Sequence, residues 1–195
     1  ERLMRSFSAA ISDIVTWDTA TPFEQGGSDF TFNGMRVETW YRARSHIDQT
    51  IADCVAGRIK TELVTWTPSG FYNYCALSDL KSMQPLDDPT GLIAGWKAAI
   101  AVYPPQLKAA IVQSSLAVAG FWPWNFHYSS AVERQDVIYT SSIVQQVAHN
   151  LIQSIFALNE AYFPGDKKLA LALGRLSRLP EDFTARITAL LHPAE

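Results

Sequence analysis

One stretch of sequence decides the fold, DFTFNGMRVETWY at residues 29–41. Strand-forming residues stand on both sides of an Asn-Gly dipeptide, which is typical of a two-residue hairpin turn. Successive side chains of a strand point to opposite faces, so Arg36, Glu38 and Trp40 share one face of the second strand. Glu38 is therefore predicted to project beside an arginine and a tryptophan, and not among aliphatic side chains.

Helical patterns surround this hairpin. Before it, Leu3, Phe7, Ile11 and Ile14 recur at the spacing of one helix face and predict an amphipathic helix over residues 2–16. Residues 17–29 are rich in Thr, Gly, Pro and Ser and predict mainly a loop. Every segment after Arg42 is predicted to be helical, with breaks at proline and glycine. The predicted helical segments are 44–56 (ended by Gly57), 62–80 (interrupted at 68–70), 88–102, 106–119, 130–162, 167–178 and 181–191.

These patterns predict a mainly α protein. A C-terminal helical bundle follows a small α+β remnant that contains the β-hairpin, and the boundary is expected near residues 56–62. We therefore expect two domains, a partial α+β domain over residues 1–58 and a helical substrate-binding domain over residues 59–195.

Charge and composition exclude several classes of protein. The 195 residues contain 16 Lys and Arg against 19 Asp and Glu, a net charge of −3, whereas nucleic-acid binders usually carry a basic excess. No apolar run reaches the roughly 18 residues of a membrane span. Two cysteines without metal spacing favour a reducing cytoplasm, and four histidines without ligand spacing argue against zinc.

The first residue is Glu and not Met, which favours a fragment of a longer protein.

An aromatic cluster at residues 121–128 has two interpretations. Trp122, Trp124, His127 and Tyr128 stand close together around a proline. Such a cluster can fill the core at a corner between helices. It can also form a wall for a sugar or another ring-shaped ligand, because flat faces and polar tips suit such molecules.

Three further polar residues are candidates for a site. Arg134 and Asp136 lie near a predicted helix N-terminus, where they can pair with each other or with a helix neighbour, or line a substrate cleft. Asn159 lies beside an apolar helix face, and a buried asparagine needs hydrogen-bond partners. It is either a hydrogen-bond hub between helices or a nucleotide contact.

The order of short motifs carries a family resemblance. The strand RVETW (36–40) is followed by a helix, then by DPTGLI (88–93) and YPPQL (103–107), then by ERQD (133–136). ALNEAYFPGDKK (157–168) and RLP (178–180) complete the order. This arrangement resembles the C-terminal portion of the aminoglycoside and lincosamide nucleotidyltransferases and their uncharacterised relatives.

The resemblance implies roles for particular residues. Glu38 matches a third carboxylate, which in that family completes a Mg²⁺ site and can act as base on the acceptor hydroxyl. Lys168, with Lys167 beside it, matches a lysine that holds the nucleoside triphosphate. The implied reaction transfers a nucleoside monophosphate from an NTP, with ATP as the expected donor, to a small hydroxylated acceptor. The implied first domain is a partial nucleotidyltransferase domain.

The sequence also departs from that family. It lacks the closely paired aspartates that, together with a Gly-Ser, precede this region in family members. Glu38 can equally be an exposed strand residue paired with Arg36 or with a cross-strand partner, and Lys167-Lys168 can be a solvated helix start. The competing hypotheses are a non-catalytic small-molecule-binding helical module and a protein-interaction domain that uses the aromatic cluster.

Overall fold

The structure is a computed structural model, and it describes residues 10–18 and 24–191. It confirms a mainly α fold with a small β region in its N-terminal part. The chain divides into two compact units between Gln49 and Thr50. This division lies inside a helix, upstream of the boundary that the sequence suggested.

The first unit contains a three-stranded antiparallel sheet in the order β1-β2-β3. Its strands are β1 (Ile11–Trp17), β2 (Gly27–Phe32) and β3 (Met35–Trp40). Asn33 and Gly34 join β2 to β3 with positive φ values of 48° and 78°, as a two-residue turn of this type requires. The predicted hairpin is therefore confirmed.

The helix predicted over residues 2–16 is wrong where it can be tested. Residues 2–9 lie outside the described residues, and Ile11–Trp17 is a strand that pairs with β2. The pairing is irregular between Ser12 and Val15, and Asp13 has a φ of 54°. A bulge of this kind interrupts the two-residue alternation of a strand. The three-residue spacing of Ile11 and Ile14 therefore imitated a helix.

A helix crosses the division between the units. Helix α1 (Arg44–Val55) follows β3 and ends before Gly57, as predicted. In its last turn, the buried carboxylate of Asp53 pairs with Arg58 at 2.8 Å and Lys60 at 2.6 Å. These ion pairs fix the segment that leads from the helix into the next strand.

The prediction that every segment after Arg42 is helical is wrong for residues 61–72. Strands β4 (Thr61–Val64) and β5 (Thr67–Tyr72) form a second antiparallel hairpin. Its residues are rich in Thr and aromatic side chains, which favour strands. The apolar spacing over 62–80 had concealed this preference, and the helix begins only at Cys75.

The rest of the second unit is helical, and its longest helices, α4 and α6, pack against each other. Its deepest side chains include Leu77, Leu80, Ile100, Leu107 and Phe163. The helices are α2 (Cys75–Ser82), α3 (Leu92–Ala99), α4 (Pro105–Phe121), α5 (Phe126–Glu133), α6 (Val137–Leu158), α7 (Leu169–Leu173) and α8 (Phe183–Leu191), with a 3₁₀ turn at Trp122–Trp124 between α4 and α5. No helix among the described residues is both long and apolar enough to cross a lipid bilayer.

The single long helix predicted over residues 130–162 is two helices. Gln135 has a φ of 58°, which an α-helix does not accept. Asp136 then caps α6, because its carboxylate accepts a hydrogen bond from the backbone N–H of Tyr139 at 3.3 Å. The break gives α6 its own N-terminus beside the aromatic cluster.

Candidate ligand-binding site

The second unit contains a cavity of about 500 Å³. Residues of the β4–β5 hairpin, the Trp122 turn and α6 line it. On α6 the lining residues recur every three or four positions, from Tyr139 through Ile143 and Gln146 to Asn150, so that one face of the helix forms a wall. A volume of this size suits a small molecule.

The lining of this cavity combines flat rings with amides. Tyr72, Trp122 and Tyr139 supply the aromatic rings. The indole Nε1 of Trp122 donates a hydrogen bond to Oε1 of Gln146 at 3.0 Å, and the Asn150 amide donates to the carbonyl oxygen of Gln146 at 2.9 Å. These bonds hold two side chains of the wall in fixed orientations.

The imidazole of His149 is part of a buried hydrogen-bond chain. The Tyr74 hydroxyl donates to Oε1 of Gln153 at 2.9 Å, which turns the amide nitrogen of Gln153 toward Nε2 of His149 at 2.8 Å. An amide nitrogen only donates, so Nε2 must accept and the ring proton must be on Nδ1. The chain therefore holds His149 as one neutral tautomer.

The protonated nitrogen of His149 faces Asp166. Nδ1 lies 3.8 Å from Oδ1 of Asp166, and that oxygen is buried without a hydrogen-bond partner in the described part of the chain. Tyr72 stacks on the imidazole with ring centroids 5.6 Å apart. Burial lowers the pKa of His149, and the negative charge of Asp166 opposes this shift.

The structure separates the aromatic residues that the sequence grouped. Trp122 lines the cavity, and Tyr128 lines a neighbouring apolar pocket of about 360 Å³. Trp124 is 91% exposed. The exposed ring of His127 lies against Phe126, with centroids 3.9 Å apart. The cluster is therefore neither a continuous wall nor a buried corner.

Arg134 and Asp136 lie at the junction of α5 and α6, where they make local contacts. Arg134 donates to the Ser130 hydroxyl at 2.9 Å and lies 3.8 Å from the Asp136 carboxylate. Asp136 also caps α6. The interpretation in which these residues make local pairs accounts for these contacts.

Asn159 forms a hydrogen-bond hub at the end of α6. Its amide nitrogen donates to the carbonyl oxygens of Ile155 and Arg178 at 2.8 and 2.7 Å. Its amide oxygen accepts from the backbone N–H of Arg178 at 2.7 Å. These bonds attach the segment before α8 to the end of α6, so Asn159 joins a helix end to a non-helical segment and not one helix to another.

The residues to which the family resemblance assigns roles are exposed. In the second unit, Lys167 and Lys168 are exposed, and Lys168, with a φ of 59°, precedes α7. In the first unit, the Glu38 side chain is 58% exposed and lies 3.6 Å from Arg36. Arg36 also lies 3.3 Å from Asp29, the cross-strand neighbour of Glu38.

Asp29 adds a second carboxylate beside Glu38. Directly opposed residues of an antiparallel pair share a face, and Oδ1 of Asp29 is buried without a partner among the described residues. Magnesium in nucleotide sites uses one or two carboxylates together with substrate phosphates and water. The pair fits such an ion only with further oxygen ligands, because no group of three His, Cys, Asp or Glu residues within 10–18 and 24–191 can hold a metal.

Sequence reasoning missed Asp29, His149 and Asp166, and it missed every residue lining the main cavity except Trp122. The register of the Asn-Gly hairpin would have placed Asp29 opposite Glu38. A polar stripe along α6, from Ser142 through Gln146 to His149, was a signal for a wall facing a cavity. Asp166 offered no comparable signal, because its neighbours in space come from distant segments.

Comparison with known protein families gives a match over part of the chain. A family model described as "Domain of unknown function (DUF4037)" matches residues 71–169. This span contains most residues of the cavity wall, together with His149 and Asp166. No curated protein and no solved structure matches the chain.

Proposed function

The chain belongs to this DUF4037 family, and we propose that it is the acceptor-binding part of a nucleotidyltransferase-like protein. In this proposal a nucleoside monophosphate passes from an NTP, ATP foremost, to a hydroxyl group of a small acceptor. The observation that carries the proposal is the cavity of about 500 Å³ in the second unit. The order of motifs supports the transferase assignment.

The chemistry of the cavity suits a small hydroxylated molecule. The rings of Tyr72 and Trp122 offer flat apolar faces, and Gln145 and Gln146 offer amide donors and acceptors. A ring-shaped molecule with hydroxyl groups needs both, because its faces are apolar while its edges form hydrogen bonds. This lining supports the proposal that the cavity is the acceptor site.

The donor side of the reaction requires more residues than this sequence contains. Glu38 and Asp29 would hold Mg²⁺ together with the paired aspartates that the sequence lacks. When bound, the ion would stabilise the charge that develops on the transferring phosphate. Lys167 and Lys168 would neutralise the leaving pyrophosphate. We also propose a cytoplasmic location, supported by two buried free thiols, Cys54 and Cys75.

A non-catalytic binding module is the second candidate function. Two observations favour it. The second unit contains a cavity of its own, and the described residues include no group of three possible metal ligands. In this alternative the cavity binds the same class of small molecule without any transfer.

Calorimetric titration with ATP and Mg²⁺ tests the transferase proposal. We expect binding by a protein extended at its N-terminus to supply the paired aspartates, and weaker or no binding by residues 1–195 alone. Glu38→Gln in the extended protein should weaken binding, whereas Glu133→Gln, at an exposed position of α5, should not. Absence of binding by both proteins would contradict the transferase proposal and leave the binding module.

A further inference from the structure

A smaller recess adjoins the main cavity. Its volume is about 230 Å³, and it shares four lining residues with the main cavity, Pro68, Ser69, Gln145 and His149. The imidazole of His149 therefore stands between the two spaces. Asp166 lines the recess and does not line the larger cavity.

The charge of this joined site is unusual for a protein that handles nucleotides. Apart from Asp166, the described residues that line the two spaces are apolar or carry neutral polar groups. The hydrogen-bond chain from Tyr74 keeps His149 neutral. A phosphate group would meet a carboxylate here and no cation, and burying an unpaired anion is costly. An uncharged ligand meets no such penalty.

Asp166 retains capacity to accept hydrogen bonds. Its Oδ2 atom accepts one long bond from the backbone N–H of Ser69, at 3.4 Å. Its Oδ1 atom is shut off from solvent and faces Nδ1 of His149, so Oδ2 is the carboxylate oxygen left to meet a ligand in the recess. An ionised carboxylate has about four acceptor positions. A ligand in the recess that donates a hydrogen bond would therefore complete a carboxylate that the protein leaves partly unsatisfied.

We propose that the cavity and the recess form one site for an uncharged polyhydroxylated ligand, in which Asp166 accepts a hydrogen bond from a ligand hydroxyl and excludes phosphorylated ligands. The aromatic side of the cavity contacts the apolar faces of the ligand, and the recess receives the hydroxyl. This inference rests on the proposed function, since it names the class of acceptor. It also implies that the nucleotide binds outside these two spaces.

The test compares two probes that differ by one phosphate, glycerol and glycerol 3-phosphate. Each is titrated into the ¹⁵N-labelled full chain while NMR follows the side-chain amides of Gln146 and Asn150 and the imidazole of His149. We expect glycerol to shift these signals and glycerol 3-phosphate to bind more weakly. Asp166→Asn should weaken glycerol binding about fivefold, because a charge-assisted hydrogen bond becomes a neutral one. Asp87→Asn, in an exposed loop, is the matched control and should bind like the wild type.

Three results would overturn the inference. Glycerol 3-phosphate that binds as tightly as glycerol would show that the site does not exclude phosphate. Equal glycerol binding by Asp166→Asn and the wild type would show that Asp166 does not recognise the ligand, and would not contradict the acceptor cavity itself. No shifts with either probe would contradict both this inference and the acceptor site of the proposed function. If Asp166→Asn does not fold, as its backbone amide spectrum would show, the comparison of the two probes on the wild type decides.

Discussion

Nδ1 of His149 lies 3.8 Å from Oδ1 of Asp166, across the break that ends the longest helix. The two residues belong to different segments of the second unit, so their approach is a property of the fold. Burial disfavours the imidazolium form of His149 and lowers its pKa, while the charge of Asp166 favours that form and limits the shift. The charge on this part of the cavity wall therefore depends on pH.

Acidification should destabilise the protein through His149. Its pKa in the folded protein lies below the ordinary value of 6.5, so protons bind the unfolded chain more tightly than the folded one. The contribution of His149 to stability is present above pH 6.5 and is lost as the pH falls below that value, by at most about 1.4 kcal/mol per pH unit. Urea unfolding at about pH 7 and about pH 5.5 measures the loss.

The control for this pH effect is His149→Gln, which cannot be protonated in this range. Its free energy of unfolding should fall less on acidification than that of the wild type.

NMR titration of the Asp166→Asn variant should show a His149 pKa that is lower still, because the favourable charge is gone. A His149 pKa that rises in Asp166→Asn would contradict this account.

Removing the Tyr74 hydroxyl should allow His149 to adopt both neutral tautomers. In Tyr74→Phe the buried Oε1 of Gln153 loses its donor, which should cost about 1 to 3 kcal/mol of folding free energy. The Gln153 amide can then turn over, so imidazole ¹⁵N shifts should show loss of the single Nδ1–H form. Tyr139→Phe removes a hydroxyl from a partly exposed side chain and should change stability by less than about 0.5 kcal/mol. A Tyr74→Phe spectrum identical to that of the wild type would refute the proposed chain.

Local signals in the sequence were sufficient for only part of this structure. The Asn-Gly turn predicted the β2–β3 hairpin, and its register alone places Asp29 opposite Glu38. Strand β1 was misread, because a bulge near Asp13 gives apolar residues a helical spacing. Strands β4 and β5 were misread, because their residues also fit one side of a helix. The pairing of His149 with Asp166 depends on how α6 packs against β5 and the segment before α7, which no short stretch of sequence determines.

Both cysteine thiols should be unreactive in the folded protein. Cys54 and Cys75 are buried, and burial raises the pKa of each thiol to about 12. The thiolate is the reactive form, so Ellman's reagent at about pH 8 should modify neither thiol rapidly in native buffer. Both should react at once in concentrated urea. Stoichiometric reaction within seconds under native conditions would show that the core around α1 and α2 opens readily.

The end of α1 should be unusually sensitive to a single methyl group. Gly57 has a φ of 72°, and the backbone N–H groups of Gly57 and Arg58 donate to the carbonyl oxygens of Cys54 and Asp53 at 3.0 and 2.8 Å. This is the Schellman pattern that ends many helices. A Cβ atom on Gly57 would lie 2.8 Å from the carbonyl oxygen of Gln106. Gly57→Ala therefore combines an unfavourable backbone conformation with a steric clash.

Gly91→Ala separates these two causes. Gly91 has a similar φ of 66°, but a Cβ atom there would meet no atom from elsewhere in the described part of the chain within 4 Å. Backbone strain alone should cost Gly91→Ala about 1 kcal/mol, and Gly57→Ala should cost about 2 to 4 kcal/mol, because the start of α4 must also move. Urea unfolding of the two variants measures the difference. Equal losses would show that Gln106 moves aside freely, and that the junction of α1 and α4 is less tightly packed than the 2.8 Å approach indicates.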